Sequence, residues 1–98
     1  MMGVNIHIQT TEGDDHPDWD WIRYGGDKEF VRAFFSSGVE HKTWTPLGFP
    51  YSDDRCLHRP DDIAAFRAFA AVQDNPERWG RAADVFESSP DYWFYFSW

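Results

Sequence analysis

The sequence predicts a single small α+β domain, in which a short β-sheet is packed by two to three helices. Three features predict this class: alternating apolar residues at the start, helix-start signals in the second half, and a β-favouring run at the end. The 98 residues leave room for one hydrophobic core. Since no internal repeat or linker is visible, one domain is expected to cover residues 1–98.

The first strand is predicted near 3–9. Val4, Ile6 and Ile8 alternate there with polar residues, which is the period of a strand with one buried face. A polar, acidic loop follows, with glycine and proline as turn signals. The segment from Trp19 onwards fits either a short strand that places Trp19 and Trp21 on one face, or an irregular extended segment.

A helix is predicted near 28–36 and a second strand near 39–45. Asp27 is a suitable N-cap for the helix, in which two pairs of apolar residues are spaced by four positions. Gly38 supplies a left-handed residue that ends the helix. The β-favouring residues after it predict the strand, and the prolines and glycine that follow indicate a loop through Arg59.

Two more helices are predicted, near 61–73 and near 76–88. Proline and two acidic residues at positions 60–62 suit the first turn of the earlier helix, whose apolar side is expected to be Ile63, Phe66, Phe69, Ala70 and Val72. Asn75 followed by Pro76 is a start signal for the later helix. Its core side is expected to consist of Trp79, Ala82, Ala83 and Phe86.

The last eight residues are almost wholly β-favouring, which predicts a strand near 91–97. A run that is apolar on both faces is typical of a strand covered on both sides. This strand is therefore expected to be central in the sheet and to pair with the first strand. The alternative is that its second face forms a homo-oligomer interface.

Three segments of the last third of the chain carry a resemblance: Arg59-Pro60-Asp61-Asp62, Asn75-Pro76-Glu77-Arg78-Trp79 and Asp91-Tyr92-Trp93-Phe94-Tyr95-Phe96-Ser97. The first two precede predicted helices, and the third closes the chain. With them, this part of the chain resembles small uncharacterised proteins of phages and prophages. The resemblance implies a viral accessory protein and carries over no functional residue.

Charge and composition exclude some classes of partner. The 17 acidic and 9 basic residues give a formal net charge of −8, and no run of Lys and Arg is present to bind nucleic-acid phosphates. Direct nucleic-acid binding is therefore not expected, and a basic protein is the more natural partner. Solubility of an aromatic-rich chain is the other explanation of the charge.

Signals for export and membrane insertion are missing from the sequence. The first residues contain no basic region followed by a long apolar run, so no secretion signal is expected. No segment approaches the length of a membrane span. Cys56 is the only cysteine, which excludes an intramolecular disulfide and favours a reducing, cytoplasmic location, in the host if the protein is viral.

The first candidate site is the acidic stretch between Glu12 and Trp21, which holds five carboxylates and no Lys or Arg. An EF-hand alignment that starts at Asp14 fails, because Trp19 and Gly25 occupy positions that need Gly and Glu. Three interpretations of these carboxylates are open: a solvated acidic loop, an imitation of nucleic-acid phosphates beside two indoles that supply affinity, and an irregular metal site. The candidate partner-binding residues are Asp14, Asp15, Asp18, Trp19, Asp20 and Trp21.

No catalytic or metal site is predicted. The four histidines and Cys56 lack zinc-site spacing, and the chain contains neither a nucleophile elbow nor a phosphate-binding loop. No cofactor is therefore expected. His7, on the polar face of the first strand, is the first ligand to consider if a metal binds.

The second candidate site is the stretch from His41 to Arg59, the least acidic part of the chain. Aromatic faces with arginines nearby stack on bases and clamp them in single-strand binding sites. The alternative is a proline-pinned loop that packs its aromatic residues on the core. The residues of a small-nucleotide site here are Trp44, Tyr51, Arg55 and Arg59.

The leading functional hypothesis is a non-enzymatic inhibitor or adaptor, of the kind that a phage uses against host defence (anti-CRISPR-like). Its acidic, aromatic surface would occupy a basic, nucleic-acid-binding face of a host protein. The hypothesis depends on the charge, the surplus of aromatic residues and the lack of catalytic motifs. A small-nucleotide-sequestering protein and a homo-oligomeric structural accessory protein are the alternatives.

Overall fold

A computed structural model describes residues 4–21, 27–45 and 56–97, which form three helices and one antiparallel sheet. The sheet has four strands in the order β1-β4-β3-β2, so the α+β class is confirmed. Within the described ranges, no helix combines the length and apolarity needed to cross a membrane. The elements in chain order are β1 (Asn5–Gln9), α1 (Asp27–Ser36), β2 (His41–Trp44), β3 (Leu57–Pro60), α2 (Ile63–Ala71), α3 (Pro76–Ser88) and β4 (Trp93–Ser97).

β4 lies inside the sheet and pairs with β1, as the apolar run predicts. Phe94 and Phe96 point to the helices and are buried, and they lie opposite Ile8 and Ile6 of β1. The residues of the other face of β4 are only half-buried. The hydrophobic core therefore lies between one face of the sheet and the helices.

β3 corrects the prediction of a loop through Arg59. Pro60, which was predicted to open a helix, instead ends this strand opposite His41. The amide of Asp61 donates to the carbonyl of Glu40, so the N–H of residue 61 points towards β2. Because successive amides of a strand point to opposite sides, the backbone nitrogen of residue 60 faces β4. Because proline has no N–H to donate there, the ladder between β3 and β4 is confined to two residue pairs.

α2 begins later and ends earlier than predicted. Asp62 is its N-cap, and the carboxylate accepts a hydrogen bond from the amide of Ala65 at 3.0 Å. The acidic residues thus precede the helix and are not in its first turn. Val72 was predicted to face the core, but it is 80% exposed, because the helix ends at Ala71 and position 72 no longer follows its apolar face.

α3 has the predicted bounds, and all four of its predicted core residues are buried. Asn75 precedes it in a left-handed conformation. It occupies the N-cap position, but its side chain makes no cap hydrogen bond. Gly38 also has a positive φ, of 80°, and stops α1 as predicted. The Phe30 ring of α1 stacks on Trp79 of α3 with centroids 3.6 Å apart, which joins these two helices in the core.

A buried ion pair joins α1 to α3. Arg78 and Asp27 are 1% and 2% exposed, and Nη2 of Arg78 lies 3.4 Å from the Asp27 carboxylate. Asp27, predicted as an N-cap outside α1, is thus the first residue of that helix and is buried against α3. The guanidinium also donates to the carbonyl of Asp20 at 2.8 Å and lies over the rings of Trp19 and Trp79.

Replacing Arg78 with Met removes the charge and keeps much of the side-chain volume. Asp27 then remains buried without its guanidinium, and breaking a buried pair in this way costs about 3–5 kcal/mol. We expect the free energy of unfolding, measured by urea denaturation at neutral pH, to fall by that amount. Arg78→Lys keeps the charge without the planar contacts and should give an intermediate value.

Arg81→Met is the matched control for this measurement, because Arg81 lies on the exposed side of the same helix. Its substitution should change the free energy of unfolding by about 0.5 kcal/mol or less. Similar values for the Arg78 and Arg81 variants would show that the buried pair does not stabilise the fold.

Candidate functional site

The acidic loop, residues 10–21, folds along the free edge of β1. The amide of His16 donates to the carbonyl of Ile8 at 2.9 Å, and the indole N–H of Trp19 donates to the carbonyl of Ile6 at 2.8 Å. Unpaired carbonyls at a sheet edge attract other strands unless something covers them. The loop therefore covers the edge of β1, and the same segment carries the carboxylates.

The tip of the acidic loop is a turn held by its own backbone. Gly13 donates to the carbonyl of Thr10 at 2.9 Å, and Thr10 donates to the carbonyl of Asp14 at 3.0 Å. Gly13 has a φ of 96°, a conformation in which glycine meets no steric penalty. The exposed carboxylate of Asp14 thus projects from an ordered turn.

Asp15 fastens the loop to the outer face of β1. Its Oδ1 accepts a hydrogen bond from the Gln9 side chain at 3.0 Å and lies 3.1 Å from Nδ1 of His7. A backbone bridge between Gln9 and Asp15 supports the same contact. Although Asp15 is exposed, its carboxylate is therefore engaged within the protein.

The two indoles of the loop have different environments. Trp19 is 6% exposed and belongs to the core, where its ring lies beside that of Trp79. Trp21 is 43% exposed and stacks on the imidazole of His7, with centroids 4.8 Å apart and planes 18° apart. The segment is thus irregular and does not place both indoles on one face. Trp19 is a core residue beneath the loop backbone, and Trp21 is the indole that is accessible to solvent.

Four of the six predicted partner-binding side chains are therefore exposed at the surface of the loop. They are the carboxylates of Asp14, Asp18 and Asp20 and the indole of Trp21, which are all exposed. The backbone of this surface is held from inside, since the carbonyl of Asp20 accepts the hydrogen bond from Arg78.

The second candidate site is described only in part. Tyr51 and Arg55 lie outside the described residues. Trp44 is half-buried in β2 opposite Leu57. Arg59 donates to the carbonyls of Phe86, Ser89 and Tyr92 at 2.6, 3.0 and 2.9 Å, respectively.

These contacts bind Arg59 to the C-terminal end of α3, where helix carbonyls lack intrahelical partners. Burial lowers the pKa of its guanidinium from the ordinary value, and Asp91 partly opposes this effect. Arg59 thus has a structural role at a helix end. A nucleotide site in this stretch would have to use the other predicted side chains.

A cluster of two histidines and a thiol lies where β2 and β3 meet α1. The Cys56 Sγ is 3.7 Å from Nε2 of His58, and the His58 ring lies 5.2 Å from that of His41 and 5.0 Å from that of Phe35. Burial, and then the neighbouring His41, lower the pKa of His58 to about 4. His58 is therefore neutral at pH 7 and does not provide the positive charge that activates a cysteine.

The described ranges contain no set of three or more His, Cys, Asp or Glu side chains arranged to hold a metal ion. His7, the first predicted ligand, lies against Asp15 and Trp21 on the outer face of β1. Cys56 and His58 contact each other at β3, which is separated from β1 by β4.

Sequence reasoning missed Arg78 and its contact with Asp27. The signal was the spacing of Arg78, Ala82 and Val85, which places the arginine on the buried side of α3. An arginine in that position needs a buried acidic partner. The sequence offers no rule that selects Asp27 from the 17 acidic residues.

The lowered pKa of His58 predicts a pH dependence of stability. A histidine of the unfolded chain titrates near pH 6.5, whereas His58 in the fold titrates near pH 4. Between these values the unfolded state binds more protons, so the free energy of unfolding should decrease as the pH falls from 6.5 towards 4.

His58→Phe removes this proton site and keeps a ring that stacks on Phe96. Urea denaturation of the parent and of His58→Phe at pH 7 and pH 4.5 measures the effect. The carboxylates titrate in both proteins, so their contribution to the change in the free energy of unfolding cancels in the comparison. We expect the variant to lose less stability than the parent on acidification. Equal losses would contradict the assigned pKa.

In comparisons with known proteins, no protein-family model, no curated protein and no solved structure matches this chain.

Proposed function

We propose that the protein is a non-enzymatic inhibitor or adaptor that places the acidic loop on a basic, nucleic-acid-binding face of another protein. The observation that carries the proposal is the exposure of Asp14, Asp18, Asp20 and Trp21 on one loop. This loop combines exposed carboxylates with an exposed indole, and its backbone is hydrogen-bonded to the sheet and to α3.

The charge of this surface suits such a partner. The acidic loop contains five carboxylates and no Lys or Arg, in a chain with a net charge of −8. A protein face that binds phosphates is rich in Lys and Arg, so the two fields are complementary. Complementary fields raise the association rate and disfavour acidic partners.

The attachment of the loop supports the proposal in a second way. Its tip, its middle and its end are each bonded, at Gly13, at His16 and at Asp20. A loop that is ordered before binding loses less conformational entropy when it binds. The carboxylates are thus carried by a backbone that is already ordered before a partner binds.

Trp21 supplies the apolar part of the surface. Exposed tryptophans are frequent hot spots of protein interfaces, because one ring buries a large area. The His7 ring beneath it restricts its rotamers, so the indole loses little further freedom on binding. Charge then directs the encounter, and the indole contributes to the lifetime of the complex.

Neutralising the three exposed carboxylates tests the role of charge. Asp14→Asn/Asp18→Asn/Asp20→Asn keeps the side-chain shapes and removes three negative charges. Proteins captured from cell lysate by the parent should include basic nucleic-acid-binding proteins, which duplex DNA or RNA displaces. The triple variant should capture them at least about tenfold less, as quantified by mass spectrometry.

The matched control is Glu29→Gln/Glu40→Gln/Glu77→Gln, which changes the net charge equally at exposed positions outside the loop. Its capture should stay close to that of the parent. Equal capture by the loop variant, or captured proteins that are no more basic than the lysate, would refute the proposal.

Trp21→Ala tests the apolar contact. With a purified captured partner, isothermal titration calorimetry should show an affinity at least about thirtyfold lower, the loss typical of a hot-spot residue. Stability should fall by only about 1 kcal/mol, since the ring is partly exposed and loses mainly its stacking on His7. Val72→Ala, at another exposed apolar residue, should not change the affinity. Equal affinities of the parent and Trp21→Ala would remove Trp21 from the site.

A further inference from the structure

A groove of about 330 Å³ lies between the acidic loop and α3. This volume is at the lower end of the range for small-molecule sites, so the groove suits a ligand of few atoms. Its walls are His16, Asp18 and Trp19 from the loop and Arg81, Asp84, Val85 and Ser88 from the helix.

Two opposite charges line this groove without pairing. Among the residues that the structure describes, the carboxylate of Asp18 and the guanidinium of Arg81 form no ion pair or side-chain hydrogen bond, either with each other or with a neighbour. Asp84 is already paired, since its carboxylate accepts from Arg67 at 2.7 Å. With respect to the described part of the chain, the groove thus offers an unpaired carboxylate on the loop, at Asp18, and an unpaired guanidinium on the helix, at Arg81.

The rest of the lining is largely apolar or already bonded. Trp19 and Val85 are buried core residues whose edges reach the groove. The hydroxyl of Ser88 donates to the carbonyl of Val85 at 3.0 Å. Nδ1 of His16 accepts from the amide of Asp18, which leaves the proton of the neutral ring on Nε2.

We propose that this groove binds a small zwitterion of the α-amino acid class with an apolar side chain. Asp18 pairs with the ammonium group, Arg81 pairs with the carboxylate, and the side chain lies on Trp19 and Val85. A ligand with both charges forms charge-assisted hydrogen bonds with both side chains, whereas a ligand with one charge forms them with only one. The site goes beyond the proposed function, which does not use Arg81.

L-Leucine is the probe for the test, in an NMR titration of the ¹⁵N-labelled protein up to about 10 mM. Saturable shifts are expected at the amides of Asp18, Arg81 and Val85 and at the Trp19 indole N–H. Leucinamide, which keeps the ammonium group, and 4-methylpentanoate, which keeps the carboxylate, should each bind at least about tenfold more weakly.

Two variants assign the charges. Asp18→Asn should reduce the affinity for leucine and leucinamide but not for 4-methylpentanoate, and Arg81→Gln should reduce the affinity for leucine and 4-methylpentanoate but not for leucinamide. Asp14→Asn and Arg32→Gln, at exposed positions outside the groove, should bind leucine like the parent. The dispersion of each spectrum verifies folding.

The absence of shifts at 10 mM, equal binding of the single-charge analogues, or shifts outside the groove would overturn the proposal. Arg81→Gln also separates it from the proposed function, because this variant should still capture basic proteins from lysate. Loss of leucine binding with unchanged capture therefore assigns Arg81 to the groove and not to the docking surface, and failure of either measurement leaves the other proposal standing.

Discussion

The arrangement of the acidic loop depends on the interactions of the buried Arg78 guanidinium. A charge in the core needs a counter-charge and hydrogen-bond acceptors to offset its desolvation. Asp27 provides the counter-charge, the carbonyl of Asp20 accepts a hydrogen bond, and the rings of Trp19 and Trp79 lie against the cation. One side chain thereby ties together α1, α3 and the end of the acidic loop. The end of the loop at Asp20 is thereby held to α3 from inside the protein.

The same loop also completes the sheet. β1 is an edge strand, and its outer carbonyls at Ile6 and Ile8 accept hydrogen bonds from the loop. To reach them, the chain turns Trp19 into the core and then emerges at Trp21. The same course of the backbone therefore covers the edge of β1 and leaves the Trp21 indole exposed. This coupling explains why an irregular, strongly charged segment is hydrogen-bonded at so many points.

The sequence predicts those features that depend on local signals, and the three helices and the strands β1, β2 and β4 are of this kind. α3 has its predicted bounds because its start signal and its apolar spacing agree. β3 was missed since a four-residue strand ended by Pro60 carries little local signal and exists through its neighbours in the sheet. The difference between Trp19 and Trp21 has the same origin, because the residue types are identical and only their contacts in the fold distinguish them. Trp19 contacts Arg78, Trp79 and the carbonyl of Ile6, whereas Trp21 stacks on His7. Functional surfaces depend on such contacts, so the sequence located the acidic loop but not its inward and outward sides.

Asp18 belongs both to the exposed acidic surface and to the groove, and this makes the two proposed sites thermodynamically dependent on each other. An ammonium group bound at Asp18 neutralises one of the carboxylates that the basic partner would contact. The ligand must then lower the affinity for the partner, and by linkage the partner lowers the affinity for the ligand by the same factor. Arg81 contributes only to the groove, so removing it weakens the ligand's effect without removing a carboxylate from the docking surface. A small zwitterion would therefore act as a competitor of protein binding, through a single shared side chain and without a change of fold.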